Sequence, residues 1–145
     1  MSNYEKIYAT TSLNTGGRQG ESALTDGSFK VAIDTPKEMG GQGQGQNPEQ
    51  LLAMAYSACF NSALQANLAM AKEKAESKVA VQVDMYKKPD AVDFKLGAKI
   101  QVAIDGMTAD QVQAFAEKAH QTCPFSKAMA GNIDISLEVV DFDSI

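Results

Sequence analysis

Two cysteines and one histidine are all the thiol and imidazole ligands that this 145-residue sequence offers. A structural zinc site ordinarily takes about four ligands, so Cys59, Cys123 and His120 fall short of one without added carboxylates. No apolar run approaches the ~18 residues that a membrane-spanning helix needs. The first residues, Met1 to Lys6, lack a basic start leading into an apolar stretch, so no secretory signal is expected and a cytoplasmic location is. Thiols are ordinarily kept reduced there, and a disulfide would be transient, catalytic or sensing. Basic residues are outnumbered, 13 against 18 acidic, for a formal charge of −5. That balance argues against a nucleic-acid partner, because phosphate contacts need a basic surface. The densest basic pair, Lys87-Lys88, runs into Pro89-Asp90 and reads as a solvated turn.

Other absences narrow the chemistry. There are no internal repeats. The glycines between Gly40 and Gly45 are not followed by Lys-Ser/Thr, so they are not a nucleotide loop. With one histidine and no nucleophile elbow, a serine hydrolase is weakly supported.

What is present reads as a single domain over residues 1–145, long enough to bury a core. Tyr4 to Leu13 is rich in Tyr, Ile and Thr and predicts a strand. A glycine-rich turn, Asn14 to Gly20, leads to a second strand ending near Leu24. Thr25-Asp26-Gly27-Ser28 is a hairpin signal, and Phe29 to Asp34 alternates as a third strand. Residues 36–46 read as a mobile or functional loop, with four glycines among polar residues. Asn47 is a good N-cap, Pro48 suits the first helical position, and Glu49 suits the positive end of a helix dipole.

No glycine or proline occurs from Leu51 to Ala75. The stretch Leu51 to Phe60 is apolar nearly all round, which predicts a helix that protein surrounds on every side. One 145-residue chain has limited material for that, so a dimer is expected. Lys72 to Glu76 reads as the solvated tail of this helix. Val79–Tyr86 and Asp93–Ile104 read as antiparallel strands. Thr108 caps a second helix with the stripe Val112, Phe115, Ala116 and Ala119. Pro124 ends it at Cys123 and can start a short further turn through Met129. Ile133 to Val139 alternates strictly as a last strand. The order predicts an α+β fold with mainly antiparallel sheet.

The two cysteines, sixty-four residues apart, suggest a redox pair before a metal site. The bland alternative is real: a cysteine among Ala and Phe on a buried helix is ordinarily an inert small hydrophobe. Cys123, at a helix C-terminus, gains no help there toward a thiolate, which suits a second attacker better than a first. His120 lies one turn before it, although a lone histidine is usually a satisfied structural residue. Arg18 in the glycine turn reads equally as a solvated charge. Glu49 precedes Cys59 by ten residues, about 15 Å along an unbroken helix, so it cannot touch that sulfur in its own chain.

The chain resembles the organic hydroperoxide resistance proteins, within the superfamily of the osmotically inducible protein C. The resemblance runs nearly end to end. Its carriers are Thr15-Gly16-Gly17-Arg18, the segment Thr35 to Gly41, Asn47-Pro48-Glu49-Gln50-Leu51, Tyr56-Ser57-Ala58-Cys59-Phe60, and His120 to Ser126 with Gly131-Asn132-Ile133. Lys127-Ala128-Met129-Ala130 departs from the pattern, since relatives commonly carry an asparagine and an arginine there.

The resemblance implies a thiol-dependent peroxidase acting on organic, fatty-acid-like hydroperoxides. Cys59 would be the peroxidatic thiol and Cys123 the resolving one. Arg18 would be the activating cation and Glu49 the carboxylate that positions it. The implied fold is an intertwined homodimer, with mainly antiparallel sheets wrapped around central helices. No bound cofactor or metal is implied; the reductant would be an external dithiol of the lipoyl type, carried on a lipoylated protein. A redox sensor using the same disulfide and an inert lipid-binding protein are the alternatives.

Overall fold

The computed structural model describes residues 3–145. The chain divides into two compact units, one ending at Pro48 and one spanning Glu49–Ile145.

The first unit is a three-stranded antiparallel sheet in the order β1 (Ser12–Thr15), β2 (Gly20–Leu24), β3 (Lys30–Ile33). The turn at 25–28 forms as the sequence predicts, with the Asp26 carboxylate accepting from the Ser28 backbone N–H at 2.9 Å. The predicted strand from Tyr4 is shorter than expected. Pairing begins only at Ser12, and Tyr4, Ile7 and Tyr8 are 73%, 91% and 78% exposed. The neighbour runs out there: β2 ends at Leu24, opposite Ser12, and Thr25, which donates its N–H to the Thr11 carbonyl at 3.0 Å, already belongs to the turn.

The glycine-rich segment that follows is tightly organised. Lys37–Met39 is a turn of 3-10 helix. Gly43 donates its N–H to the Thr35 carbonyl at 3.0 Å, and Gln44 donates to the Asp34 carboxylate at 2.8 Å. Gly41 is required: a Cβ there would stand 1.9 Å from the Thr35 carbonyl oxygen.

The second unit carries the core. α1 (Pro48–Met70) is one unbroken helix. It ends at Met70, inside the glycine- and proline-free stretch. Lys72 adopts a left-handed φ of 58°, and Glu73 and Lys72 donate to the carbonyls of Leu68 and Ala69. Those two bonds form a Schellman stop, here with lysine in the place glycine usually takes.

β4 (Ser77–Lys87) and β5 (Phe94–Ile104) form a long antiparallel pair. α2 (Ala109–Thr122) opens with the expected capping box, in which Thr108 and Gln111 satisfy each other's backbone N–H. α3 (Pro124–Met129) follows after the single extended residue Cys123. β6 (Asp134–Val139) then pairs parallel with β5, giving the order β4-β5-β6. The fold class is therefore α+β with mainly antiparallel sheet, as the element order predicts.

The core packs Ile100, Val102 and Ile104 of β5 against Tyr56, Phe60, Leu64 and Leu68 of α1 and Val112, Ala116 and Ala119 of α2. Four residues at a spacing of four make one narrow stripe on α1. The all-round burial expected of this helix is not made within the chain. Met54 and Met70 are 65% and 83% exposed, and Ala55, Ala58 and Ala66 are exposed as well. No helix among the described residues is long and apolar enough to cross a membrane.

Candidate active site

Cys59 and Cys123 are brought together. Their sulfurs stand 3.4 Å apart, with both cysteines present as free thiols. That separation is about 1.4 Å longer than a disulfide bond, so little motion would close one. The two residues arrive by different routes. Cys59 sits mid-way along α1, half-buried, on the turn between Tyr56 and Phe60. Cys123 is fully buried at the break between α2 and α3, with φ −65° and ψ 122°. Pro124 produces that break, because it disfavours helical geometry in the residue before it.

Burial pushes the Cys59 thiol above its ordinary range. The backbone N–H of Phe125 opposes the shift by stabilising the thiolate, while neighbouring Cys123 adds to it. Phe125 was not anticipated as a contributor, because a backbone donor leaves no trace in residue type. Beside the thiols, the Tyr56 hydroxyl and Ser126 hydroxyl lie 2.8 Å apart, both fully buried. The sequence held one signal for this pair: each member is three residues from a cysteine.

An open groove of ≈ 380 Å³ runs from Cys59 along α1 past Ala63 and Ala66 to Met70, with Thr122 and Pro124 on its other side. Its lining is mostly apolar. The polar exceptions include Asn67, which donates to the Thr122 hydroxyl at 3.1 Å.

Arg18 lies half-buried in the β1–β2 turn of the first unit and is the chain's single arginine. Glu49 is half-buried in the first turn of α1. Because α1 is unbroken, ten residues separate Glu49 from Cys59 by about 15 Å of helix. His120 does not meet the expectation of a satisfied structural residue. Its Nδ1 is buried with no hydrogen-bond partner among the described residues. Also among the described residues, no three His, Cys, Asp or Glu side chains gather to hold a metal.

The family model for OsmC-like proteins matches residues 41–138. This chain belongs to that family. Within it, the likeness is to the organic hydroperoxide resistance proteins. The chain is 47% identical to organic hydroperoxide resistance protein-like 2 of Staphylococcus epidermidis, over 92% of this chain and 95% of that one. It is 37% identical to the organic hydroperoxide resistance protein of Xanthomonas axonopodis pv. citri, over 94% and 98%. Among solved structures, an organic hydroperoxide resistance protein from Legionella pneumophila aligns with a TM-score of 0.88 at 37% identity, covering 93% of this chain and 98% of its own. The OsmC-like match includes both cysteines, Glu49 and the whole of α1. Arg18 precedes the matched span.

Proposed function

We propose that this OsmC-like protein is a thiol peroxidase that reduces organic hydroperoxides to alcohols. The observation that carries the proposal is the pair of reduced sulfurs 3.4 Å apart, with Cys59 lining a mostly apolar groove. The chemistry runs in three steps. The Cys59 thiolate attacks the terminal peroxide oxygen, the O–O bond breaks, and the alkoxide leaves as an alcohol after taking a proton. Cys59 is then a sulfenic acid. The Cys123 sulfur attacks it, a disulfide forms, and water leaves. An external dithiol of the lipoyl type, on a lipoylated protein of the cytoplasm, reopens the disulfide by thiol exchange and is itself oxidised.

Burial alone holds Cys59 in the wrong protonation state for the first step. A cation that keeps its charge offsets that, and arginine does so at every physiological pH. We assign this to Arg18, with Glu49 fixing the guanidinium as a bidentate partner. With about 15 Å of helix between Glu49 and Cys59, the carboxylate serves the site either through the longer Arg18 or from a second subunit. Arg18→Ala is expected to slow sulfenic acid formation at neutral pH. With the cation gone, the Cys59 pKa rises, less thiolate is present at neutral pH, and the rate recovers as the pH is raised. A stopped-flow pH profile that does not move would remove Arg18 from the mechanism.

Exposed Met54, Ala55, Ala58 and Met70 on α1, with Ile7 and Tyr8 ahead of β1, support an intertwined homodimer. A second copy of the chain supplies the cover that the first does not.

The deciding experiment is intact mass and thiol count after one equivalent of cumene hydroperoxide, with hydrogen peroxide in parallel. The native protein is expected to lose two thiols, faster with the organic peroxide. Cys123→Ser is expected to consume one equivalent and stop with a sulfenic acid on Cys59. Two thiols surviving in folded, reduced native protein would overturn the proposal.

A further inference from the structure

The buried Tyr56–Ser126 hydrogen bond is not used by any step above, yet its placement is particular. Tyr56 precedes Cys59 by three residues on α1, and Ser126 follows Cys123 by three. On a helix that spacing is one turn on the same side. The two hydroxyls therefore join α1 to α3 one turn from the point where the sulfurs face each other. Both residues have 0% exposure, and the oxygens are 2.8 Å apart.

The tyrosine ring has little freedom to swing away. It lies edge-on to Phe60 at 6.5 Å and tilted against Phe125 at 5.9 Å between centroids. Phe125 in turn presents its backbone N–H to Cys59. α3 has only six residues and its N-cap, Cys123, makes no side-chain capping bond, so the helix has little of its own to fix its position. A phenylalanine and an alanine would fill the same space without burying two hydroxyls. What the hydroxyls add is direction, because a hydrogen bond has a preferred geometry and hydrocarbon contact does not.

We propose that Tyr56 and Ser126 are a positioning pair that holds Cys123 against Cys59 and so sets the rate at which the second thiol captures the oxidised first. This rests on the peroxidase reading for its kinetic consequence. The step is condensation of the Cys123 S–H with the Cys59 S–OH, forming the S–S bond and releasing water. Tyr56 lies near enough to both thiols to feel their charge, and the pair sets their relative placement through α1 and α3.

The test compares Tyr56→Phe, Ser126→Ala and the double variant. Each single variant leaves one buried hydroxyl without its partner and loses stability for that reason. The double variant removes both hydroxyls, so no orphan remains and stability returns toward native. A merely structural role would therefore be repaired in the double variant, and a positioning role would not. The first readout is the equilibrium of the Cys59–Cys123 disulfide with reduced and oxidised glutathione, which needs no peroxide. The double variant is expected to form the disulfide about tenfold less favourably, since loose placement of two reacting groups sacrifices effective concentration. The second readout is stopped flow with cumene hydroperoxide. Sulfenic acid formation on Cys59 should keep its native rate, while its decay to disulfide slows about tenfold. A double variant matching the native protein in both readouts would overturn the proposal. If the native protein forms no sulfenic acid, the peroxidase reading fails, and the glutathione equilibrium still decides whether the pair positions the thiols.

Discussion

Cys59→Ser is expected to consume no hydroperoxide above background, a loss of at least about a thousandfold. A serine hydroxyl does not ionise near neutral pH, and its oxygen cannot take up a peroxide oxygen as sulfur does. Cys123→Ser differs in kind, because it leaves the first step intact and blocks only the second. The pair of variants thus separates an order of events. The serine at position 59 is nearly the same shape, and the site is half-buried, so the fold should be kept. Circular dichroism alongside peroxide consumption makes the comparison. Substantial consumption by folded Cys59→Ser protein would mean that Cys59 is not the nucleophile.

The second large effect falls on stability. Phe60 is fully buried on the α1 stripe, edge-on to Tyr56 and inside the core with Ile100 and Val102. Phe60→Ala removes the ring and leaves a cavity, at a cost of about 3–5 kcal/mol. Small domains are stable by only about 5–15 kcal/mol, so this one change can consume much of the total. The urea midpoint should fall sharply with little change in slope. A fall of less than about 1 kcal/mol would show that the core refills the space. Phe60 adjoins Cys59 in sequence, so peroxide consumption per folded molecule is the control for an effect on the site.

Much of this molecule was legible in its sequence, and the failures have common physical causes. β6 alternates strictly and is found with Ile135, Leu137 and Val139 packed on the core. The cap at Thr108 and the stop at Pro124 are local chemistry, and both were read correctly. The Tyr4 strand failed because strand length depends on the neighbour, and five-residue β2 could not be measured from the Tyr4 segment. The apolar faces of α1 left exposed within the chain agree with the expectation that one chain has too little material to cover it; composition states what a helix needs covered, not what covers it. α1 stopped early because Lys72 takes a conformation that glycine would have announced. The site divides the same way. That Glu49 lies far from Cys59 followed from helix geometry. That Cys59 meets Cys123 was suggested by their being the chain's two thiols and was implied by the resemblance, but it did not follow from their separation in sequence. Tyr56 and Ser126 look, residue by residue, like ordinary core and turn.

The route from β5 to β6 has a meaning for how the molecule comes to exist. The strands are parallel, so the chain must leave one end of the sheet and return to the other, and α2, Cys123 and α3 are that return path. The 29 residues between Ile104 and Asp134 form a closed return path once the last strand pairs with β5. Parallel pairing at this separation in sequence is among the slower events of folding. During synthesis, Cys59 emerges early and Cys123 late, and the β6 strand that secures the latter emerges later still. The nearness of the two sulfurs thus belongs to the finished molecule: a chain still being made carries both thiols before it has the sheet edge that brings them face to face.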